Sequence, residues 1–213
     1  VVAYGTSDPG PPRPEQAEAF RALVPALKGR PYLLYLSRIH PKKACDLLLD
    51  AFAEVYGPRD DMDLVMAGPA ADDYLAALKA QAVRLGIAGR IHWPGMLQGD
   101  AKWGAFHGCE AFVLPSHQEN FGIVVAEAMA CGRPTLISDK VNIYREVVSS
   151  GGGLAEPDDR PGIARLLTRF AALSPQERRQ MGEHARAGFL KSFEVGQAAE
   201  DLNAACRDAI AGR

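Results

Sequence analysis

The sequence lacks the patterns that mark several large classes of protein. It holds four cysteines, Cys45, Cys109, Cys131 and Cys206, and none of them forms a Cys-x-x-Cys pair, so their spacing indicates neither a zinc site nor a disulfide framework. No apolar run approaches the length of a membrane span, and the first residues do not form a basic segment followed by an apolar core. We therefore expect a protein of the reducing cytoplasm, and we leave peripheral attachment to the inner face of the membrane open.

An excess of positive charge is also missing. The 213 residues contain 24 lysines and arginines against 26 aspartates and glutamates, and the basic residues are scattered along the chain. Proteins that bind nucleic acid usually gather such residues in a patch or stripe, so we expect no nucleic-acid partner. The length and a hydrophobic content of 47% allow a full core, and we expect one domain that spans residues 1–213.

The chain does contain a regular alternation of short apolar segments and helical patterns. The pattern predicts strands at residues 1–4, 32–36, near 64, near 91, and at 111–114, 135–138 and 153–155. It predicts helices at residues 15–23, 46–55, 73–85, 101–107, 143–148 and 197–210. Short buried strands that alternate with helices indicate an α/β fold with a single Rossmann-like, doubly wound parallel sheet. In such sheets, ligands bind at the carboxyl ends of the strands.

Two carboxylates follow the predicted strand at residues 111–114. Glu119 falls in the loop after the strand, and Glu127 falls in the small-residue helix that comes next. Eight helical positions turn through about 800° and rise about 12 Å, so the two side chains would share one rim without touching. This spacing suits two separate hydroxyl-bearing parts of one elongated ligand better than a pair of carboxylates that shares one proton. Taken without its neighbours, the pair would more often be two solvated carboxylates on an ordinary amphipathic helix.

The residues around the two glutamates favour a binding motif. Pro115-Ser116 ends the strand, Phe121-Gly122 follows the first glutamate, and Gly132-Arg133-Pro134 follows the helix. The whole run resembles the Glu-x7-Glu motif of the retaining glycosyltransferases with the GT-B fold, often called group 1 or family 4. The resemblance covers nearly the whole chain but only half of such an enzyme. It implies the C-terminal, donor-binding half of a GT-B fold, with the N-terminal acceptor domain outside this chain.

The resemblance assigns roles to residues of this motif. Glu119 would contact the donor sugar or its hydroxyls nearest the phosphate, and Glu127 would accept hydrogen bonds from the ribose hydroxyls. Backbone N–H groups would begin a helix that points toward the diphosphate, because unpaired N–H groups and the helix dipole attract anions. The residues assigned to donor binding in this loop are Ser116, Asn120, Phe121, Gly122, Ile123 and Val124.

A second loop supports the same family. The run from Ser37 to Ala44 follows the predicted strand at residues 32–36 and resembles the family's Gly-Arg-x-x-x-x-Lys-Gly loop, although its two glycines are replaced by Ser37 and Ala44. The resemblance implies that Arg38 and Lys43 hold the donor diphosphate, with Lys42 as a rival to Lys43. Two fixed cations would stabilise the charge on the leaving diphosphate, so no metal is required. Without the acidic motif, basic residues that merely solvate a loop would be an equal interpretation.

Other segments match the family less specifically. The resemblance implies that Gly95, Met96 and Leu97 line the nucleobase pocket and that Gly68 allows the backbone to approach the ligand. We expect Trp93 to pack in the core and His117 to be a solvated loop histidine. The segment after Gly153 resembles the family's Gly-x-Leu-x-x-Pro-x-Asp turn, which is structural and precedes a helix capped by an aspartate. The segment Ser192-Phe193-Glu194 with the helix at 197–210 resembles the terminal helix that, in the family, crosses back to the N-terminal domain.

The function implied is that of a donor-binding domain in a retaining, metal-independent glycosyltransferase of the hexosyltransferase type. Arg38, Lys43 and Glu119 would take part in catalysis. The substrate would be a nucleotide-diphosphate sugar, the acceptor a sugar or lipid-linked glycan bound by the N-terminal domain, and no cofactor is expected. The fragment alone is expected to be inactive. Two alternatives stay open: half of a GT-B fold epimerase or phosphorylase, and a non-catalytic module that binds a nucleotide sugar and regulates a partner.

Overall fold

The computed structural model describes residues 5–210, and these form a six-stranded parallel sheet covered by helices on both faces. The strand predicted at residues 1–4 lies outside the described residues. The strands are β1 (Tyr32–Leu36), β2 (Asp63–Ala67), β3 (Ile91–Gly95), β4 (Ala111–Leu114), β5 (Thr135–Ser138) and β6 (Gly153–Glu156). The helices are α1 (Pro14–Leu23), α2 (Cys45–Tyr56), α3 (Asp72–Arg84), α4 (Gly99–Gly108), α5 (Ile123–Ala130), α6 (Tyr144–Ser149), α7 (Arg160–Ala171), α8 (Pro175–Ser192) and α9 (Val195–Ile210).

The order of the strands across the sheet is β3-β2-β1-β4-β5-β6. Leu33 of β1 pairs with Leu64 of β2 on one side and with Ala111 of β4 on the other. The direction of winding therefore reverses between β1 and β4, and their carboxyl ends border the crevice where doubly wound sheets bind ligands. This confirms the predicted Rossmann-like α/β fold.

The strands read as nearly continuous apolar runs because helices cover both faces of the sheet. All four residues of β4 and all five of β2 are buried. On the two faces, α1 packs against α4, α2 against α7, and α5 against α8. Trp93 is partly buried and packs against this core, as expected.

The C-terminal helices begin at well-formed caps. Asp159 accepts a hydrogen bond from the backbone N–H of Gly162 at 2.7 Å, which is the predicted aspartate cap of α7. Ser174 caps α8, and the Glu177 carboxylate accepts a hydrogen bond from the Ser174 backbone N–H at 2.7 Å. The turn before α9 buries Phe193. The contact of α9 with an N-terminal domain stays a prediction.

Glu119 lies in the loop before the motif helix, as expected. Helix α5 begins at Ile123, so Glu119 precedes it by four residues and the spacing of an unbroken helix does not apply to Glu119 and Glu127. Gly122 has a φ of 76° and reverses the chain direction at the start of the helix, a conformation that residues with a Cβ rarely adopt. The conformation of the loop before Gly122 is therefore set by hydrogen bonds outside the helix.

Candidate functional site

The loops after β1 and β4 are hydrogen-bonded to each other at the carboxyl edge of the sheet. The backbone N–H of His117 donates to the carbonyl oxygen of Lys42 at 3.0 Å. The Ser116 hydroxyl lies 3.2 Å from that same oxygen and 2.9 Å from the carbonyl oxygen of Gln118, so it can donate to either one. Ser116 and Lys42 are 74 positions apart in the chain, and these hydrogen bonds bring their two motifs together on one surface.

The loop after β5 joins the same surface through the backbone of Glu119. Its N–H donates to the carbonyl oxygen of Lys140 at 3.1 Å, and its carbonyl oxygen accepts from the N–H of Asn142, also at 3.1 Å. Both main-chain groups of Glu119 are therefore occupied, and its carboxylate projects from a fixed point. No motif in the sequence marks this third loop.

Lys43 and Glu119 form a direct ion pair between Nζ and Oε2. The side chain of Lys43 is 10% exposed and that of Glu119 is 23% exposed, whereas Lys42 is exposed. The chain turns at this point because Ala44 has a φ of 53°, in the left-handed region, where the family motif has a glycine. The structure therefore favours Lys43 over Lys42 at the site, and the contact of Lys43 with a diphosphate stays a prediction.

Arg38 offers a second cation on the same loop. The residue is exposed, and among residues 5–210 its guanidinium has no hydrogen-bond or ion-pair partner. Its position is set through the backbone, because the buried hydroxyl of Tyr35 donates to the Arg38 carbonyl oxygen at 2.7 Å. A charged side chain without a partner beside the reversal point of the sheet is available to an anionic ligand.

Glu127 is paired with a residue that the sequence interpretation missed. Lys102 of α4 donates from Nζ to Glu127 Oε1 at 2.6 Å, and the same Nζ lies 4.6 Å from the centre of the Trp103 ring. The other carboxylate oxygen, Glu127 Oε2, is buried and has no hydrogen-bond partner in the described part of the chain. No motif marks Lys102, which lies in the helix before β4, whereas Glu127 lies in the helix after it.

The first turn of α5 supplies the N–H groups that the motif predicted. The first N–H groups of any helix have no partner inside it, which leaves those of Ile123 and Val124 for a ligand or water. Asn120 and Phe121 come before the helix, so they flank its N-terminus instead of forming it. The Phe121 ring packs edge-on against Phe193, with 5.8 Å between the ring centres.

Ser116 and Gly68, which are also assigned to donor binding, both hold neighbouring loops in place. Ser116 is fully buried, and its backbone carbonyl oxygen accepts from the Ser138 hydroxyl, so it holds the loop in place. A Cβ on Gly68 would lie 1.8 Å from the carbonyl oxygen of Ser37, so a glycine is needed there for two neighbouring loops to pass. Contact of either residue with the donor stays a prediction.

Two of the three residues assigned to the nucleobase pocket are exposed to solvent, and the third is buried. Gly95 is exposed with a φ of 74°, and its carbonyl oxygen accepts from the N–H of Gly68 at 2.8 Å. Met96 is 60% exposed, and Leu97 is buried. Only the first two present a surface that a base could contact in this conformation.

His117 is less free than a solvated loop histidine. Its Nδ1 lies 2.7 Å from Asp158 Oδ2, which joins the motif loop to the turn before α7. Partial burial alone would raise the pKa of Asp158, but the hydrogen bond from His117 and the charges of His117 and Lys140 outweigh it and lower the pKa. The exposed pair helps to fix the loop.

A surface cavity of about 630 Å³ lies elsewhere, at the amino ends of β4 and β5, and it contains four arginines. Three of these already have acceptors: Arg133 donates to the carbonyl oxygen of Cys109, Arg178 to that of Ala171, and Arg186 pairs with Asp8. We therefore place the candidate site at the carboxyl edge. Over the residues that the structure describes, no group of three or more potential ligands could hold a metal, and no helix is both long and apolar enough to cross a membrane.

The family model and two curated proteins that match this chain are all glycosyltransferases. The family model for glycosyl transferases group 1 matches residues 16–188. A D-inositol 3-phosphate glycosyltransferase from Segniliparus rotundus is 31% identical over 220 residues, which covers 100% of this chain and 47% of that protein. The enzyme of the same name from Geodermatophilus obscurus is 32% identical over 195 residues, which covers 84% of this chain and 43% of that protein. The chain thus spans about half the length of the curated relatives it matches.

Solved structures share the fold. Anabaena HepE in complex with UDP and glucose has a TM-score of 0.80 at 21% identity, covering 97% of this chain and 56% of that chain. The C-terminal domain of a group 1 glycosyl transferase, LpcC from Francisella tularensis, has a TM-score of 0.74 at 18% identity, covering 90% of this chain and 100% of that chain. A domain of this fold has therefore been crystallised by itself.

Proposed function

The chain belongs to the group 1 glycosyl transferases, and from that premise we propose that it is the nucleotide-sugar-binding domain of a retaining, metal-independent enzyme of the hexosyltransferase type. The whole enzyme would move a sugar from a nucleotide-diphosphate donor to an acceptor hydroxyl on a sugar or lipid-linked glycan. The acceptor would bind in an N-terminal domain outside this chain. The full-length protein would be located in the cytoplasm or at the inner face of the membrane.

The observation that carries this proposal is the group of charges where the sheet reverses direction. Arg38 has no partner in the described residues, and Lys43 stands beside Glu119 at the N-terminal side of α5. A diphosphate is the leaving group when the bond between the sugar and the nucleotide breaks. Two cations and the first N–H groups of a helix would stabilise the negative charge that develops on it, so the protein itself would supply what a metal supplies elsewhere.

The carboxylates of Glu119 and Glu127 would bind the uncharged parts of the donor, which are the sugar and the ribose. Glu119 is held by its backbone and would orient the sugar, whose anomeric carbon becomes oxocarbenium-like as the bond breaks. Glu127 would accept hydrogen bonds from the ribose hydroxyls. HepE, which shares this fold, is described in complexes with UDP and with UDP-glucose, and this supports a nucleotide-diphosphate sugar as the class of ligand.

Calorimetric titration with UDP, GDP and ADP in the presence of a chelator tests the proposal. At least one of these should bind, and Arg38→Ala should weaken that binding roughly ten- to a hundred-fold because it removes a charge-assisted contact. Arg84→Ala is the matched control, since Arg84 is an exposed arginine in the last turn of α3, at the opposite edge of the sheet. Its affinity should match that of the unmodified chain.

Two outcomes would contradict the proposal. If binding required magnesium or manganese, the cation pair would not be sufficient for the diphosphate. If Arg84→Ala lost as much affinity as Arg38→Ala, the effect would belong to overall charge and not to the site. Sugar transfer by the full-length protein would separate an enzyme from a non-catalytic binding module.

A further inference from the structure

We propose that Lys102 is a positioning residue for the nucleotide ribose, and that it acts by holding the carboxylate of Glu127 in one orientation. The inference rests on the proposed function, because it concerns the same site. It adds a residue from α4, a helix that carries no motif of the family and that contributes no other residue assigned to the donor.

The burial of Glu127 creates the need for such a residue. Its side chain is 10% exposed, near the middle of α5, which is otherwise made of apolar residues. A buried carboxylate without a partner is costly, because it has lost its contacts with water. A carboxylate can accept hydrogen bonds at both oxygens, so a partner on one oxygen leaves the other available to a ligand.

Lys102 answers this need from the neighbouring helix. Its Nζ lies 2.6 Å from Glu127 Oε1, and the Trp103 ring, 4.6 Å away, holds the same ammonium group from another side. The ammonium group of Lys102 therefore has two neighbours that fix its place. The carboxylate is consequently tied through one oxygen, and its rotation is restricted.

The second oxygen shows what the pair is arranged for. Glu127 Oε2 has no donor among the described residues, although buried oxygens nearly always have one. A structural ion pair alone would leave this acceptor unexplained. A ribose hydroxyl that reached this oxygen when the donor binds would supply the missing donor, and a sugar hydroxyl makes a stronger bond to a carboxylate than to a neutral acceptor.

The test is a double-mutant cycle measured by calorimetry with whichever of UDP, GDP and ADP binds most tightly. The variants are Lys102→Met, Glu127→Gln, both together, and Lys102→Arg, which keeps the charge. Lys79→Met is the matched control, because Lys79 is an exposed lysine on α3. Inorganic pyrophosphate, which has no ribose, is titrated in parallel into each variant.

We expect Lys102→Met to weaken nucleoside diphosphate binding about tenfold and to leave pyrophosphate binding within about twofold. Lys102→Arg should recover most of the affinity, and Lys79→Met should change nothing. In the Glu127→Gln background, the further change Lys102→Met should cost less than about twofold, because a residue that acts through Glu127 has nothing left to act on. This last comparison leaves no unpaired buried carboxylate, so it serves even if Lys102→Met alone does not fold.

Several results would overturn the inference. If Lys102→Met lowered the affinity for the nucleoside diphosphate and for pyrophosphate equally, Lys102 would act through the overall positive charge of the site and not through the ribose. A full loss in the Glu127→Gln background would mean that Lys102 acts independently of Glu127, and a failure of arginine to restore binding would mean that charge is not what matters. If the unmodified chain bound none of the three nucleotides, the proposed function itself would fall, which is a different outcome from an unmodified chain that binds and shows no coupling.

Discussion

Replacement of Lys43 by methionine should weaken nucleoside diphosphate binding far more than the same replacement of Lys42. The two lysines are neighbours in sequence and equal in charge, but only Lys43 is buried and paired with Glu119. Lys42 is exposed, and its role in the loop is carried by its backbone carbonyl oxygen, which the substitution leaves in place. The pair of variants thus separates position from charge.

The expected magnitudes follow from these environments. Lys43→Met removes one charge-assisted contact to the diphosphate, of order 1.5–3 kcal/mol or roughly ten- to a hundred-fold in affinity. It also leaves the partly buried Glu119 without its partner, so the free energy of unfolding should fall by about 1–3 kcal/mol. Lys42→Met removes an exposed charge, and both quantities should change little, by about 0.5 kcal/mol or less.

Calorimetry at about 0.15 M salt measures the affinities, because at that ionic strength distant exposed charges are largely screened. Urea unfolding of each variant measures the stabilities, and binding is compared only where the variant is folded. A larger loss of affinity for Lys42→Met than for Lys43→Met would refute the assignment of Lys43 to the diphosphate.

Three further predictions concern the backbone and the completeness of the enzyme. Ala44→Gly should change the free energy of unfolding by no more than about 1 kcal/mol, because relief of the left-handed conformation offsets the lost methyl group, whereas the control Ala51→Gly in α2 should cost about 2 kcal/mol in urea unfolding. Gly68→Ala places a methyl carbon 1.8 Å from a carbonyl oxygen and should cost at least about 2 kcal/mol, lowering the Tm by about 4–8 °C; an unchanged Tm would show that the loops move apart easily. The chain alone should transfer no sugar from a labelled donor to a broad mixture of acceptors, since one half of the site cannot hold both reactants; transfer that Glu119→Ala abolishes would disprove this.

The fold could be predicted because each strand carries its own signal. β5 occupies residues 135–138 in both the prediction and the structure, and the helix predicted at 143–148 is Tyr144–Ser149. Burial on both faces forces apolar runs into the strands, and helices show their own period, so both can be recognised locally. The sequence places Glu119 in the loop before the motif helix but does not show the residue at which that helix begins, and in the structure α5 begins at Ile123, directly after Gly122.

The charged residues of the site were predictable as far as motifs extend. Arg38, Lys43 and Glu119 are assigned through the resemblance of their loops to motifs of the family, and the order of the sheet places those loops side by side. The choice between Lys42 and Lys43 needed the burial of each side chain, which depends on the turn at Ala44. Sequence spacing alone has no means of showing which of two adjacent lysines points inward.

The residues that sequence reasoning missed are those whose partners lie far away in the chain. Lys102 meets Glu127 across 25 positions, and His117 meets Asp158 across 41, and no local pattern in the sequence indicates either pairing. A lysine on a helix is usually solvated, so its composition and neighbours argue against a special role. What changes the interpretation is the ion pair itself, which joins a lysine of α4 to a buried carboxylate of α5. Contacts of this kind depend on topology first and on residue type second, and for this reason we expect positioning residues, more than motif residues, to be found only when the fold is known.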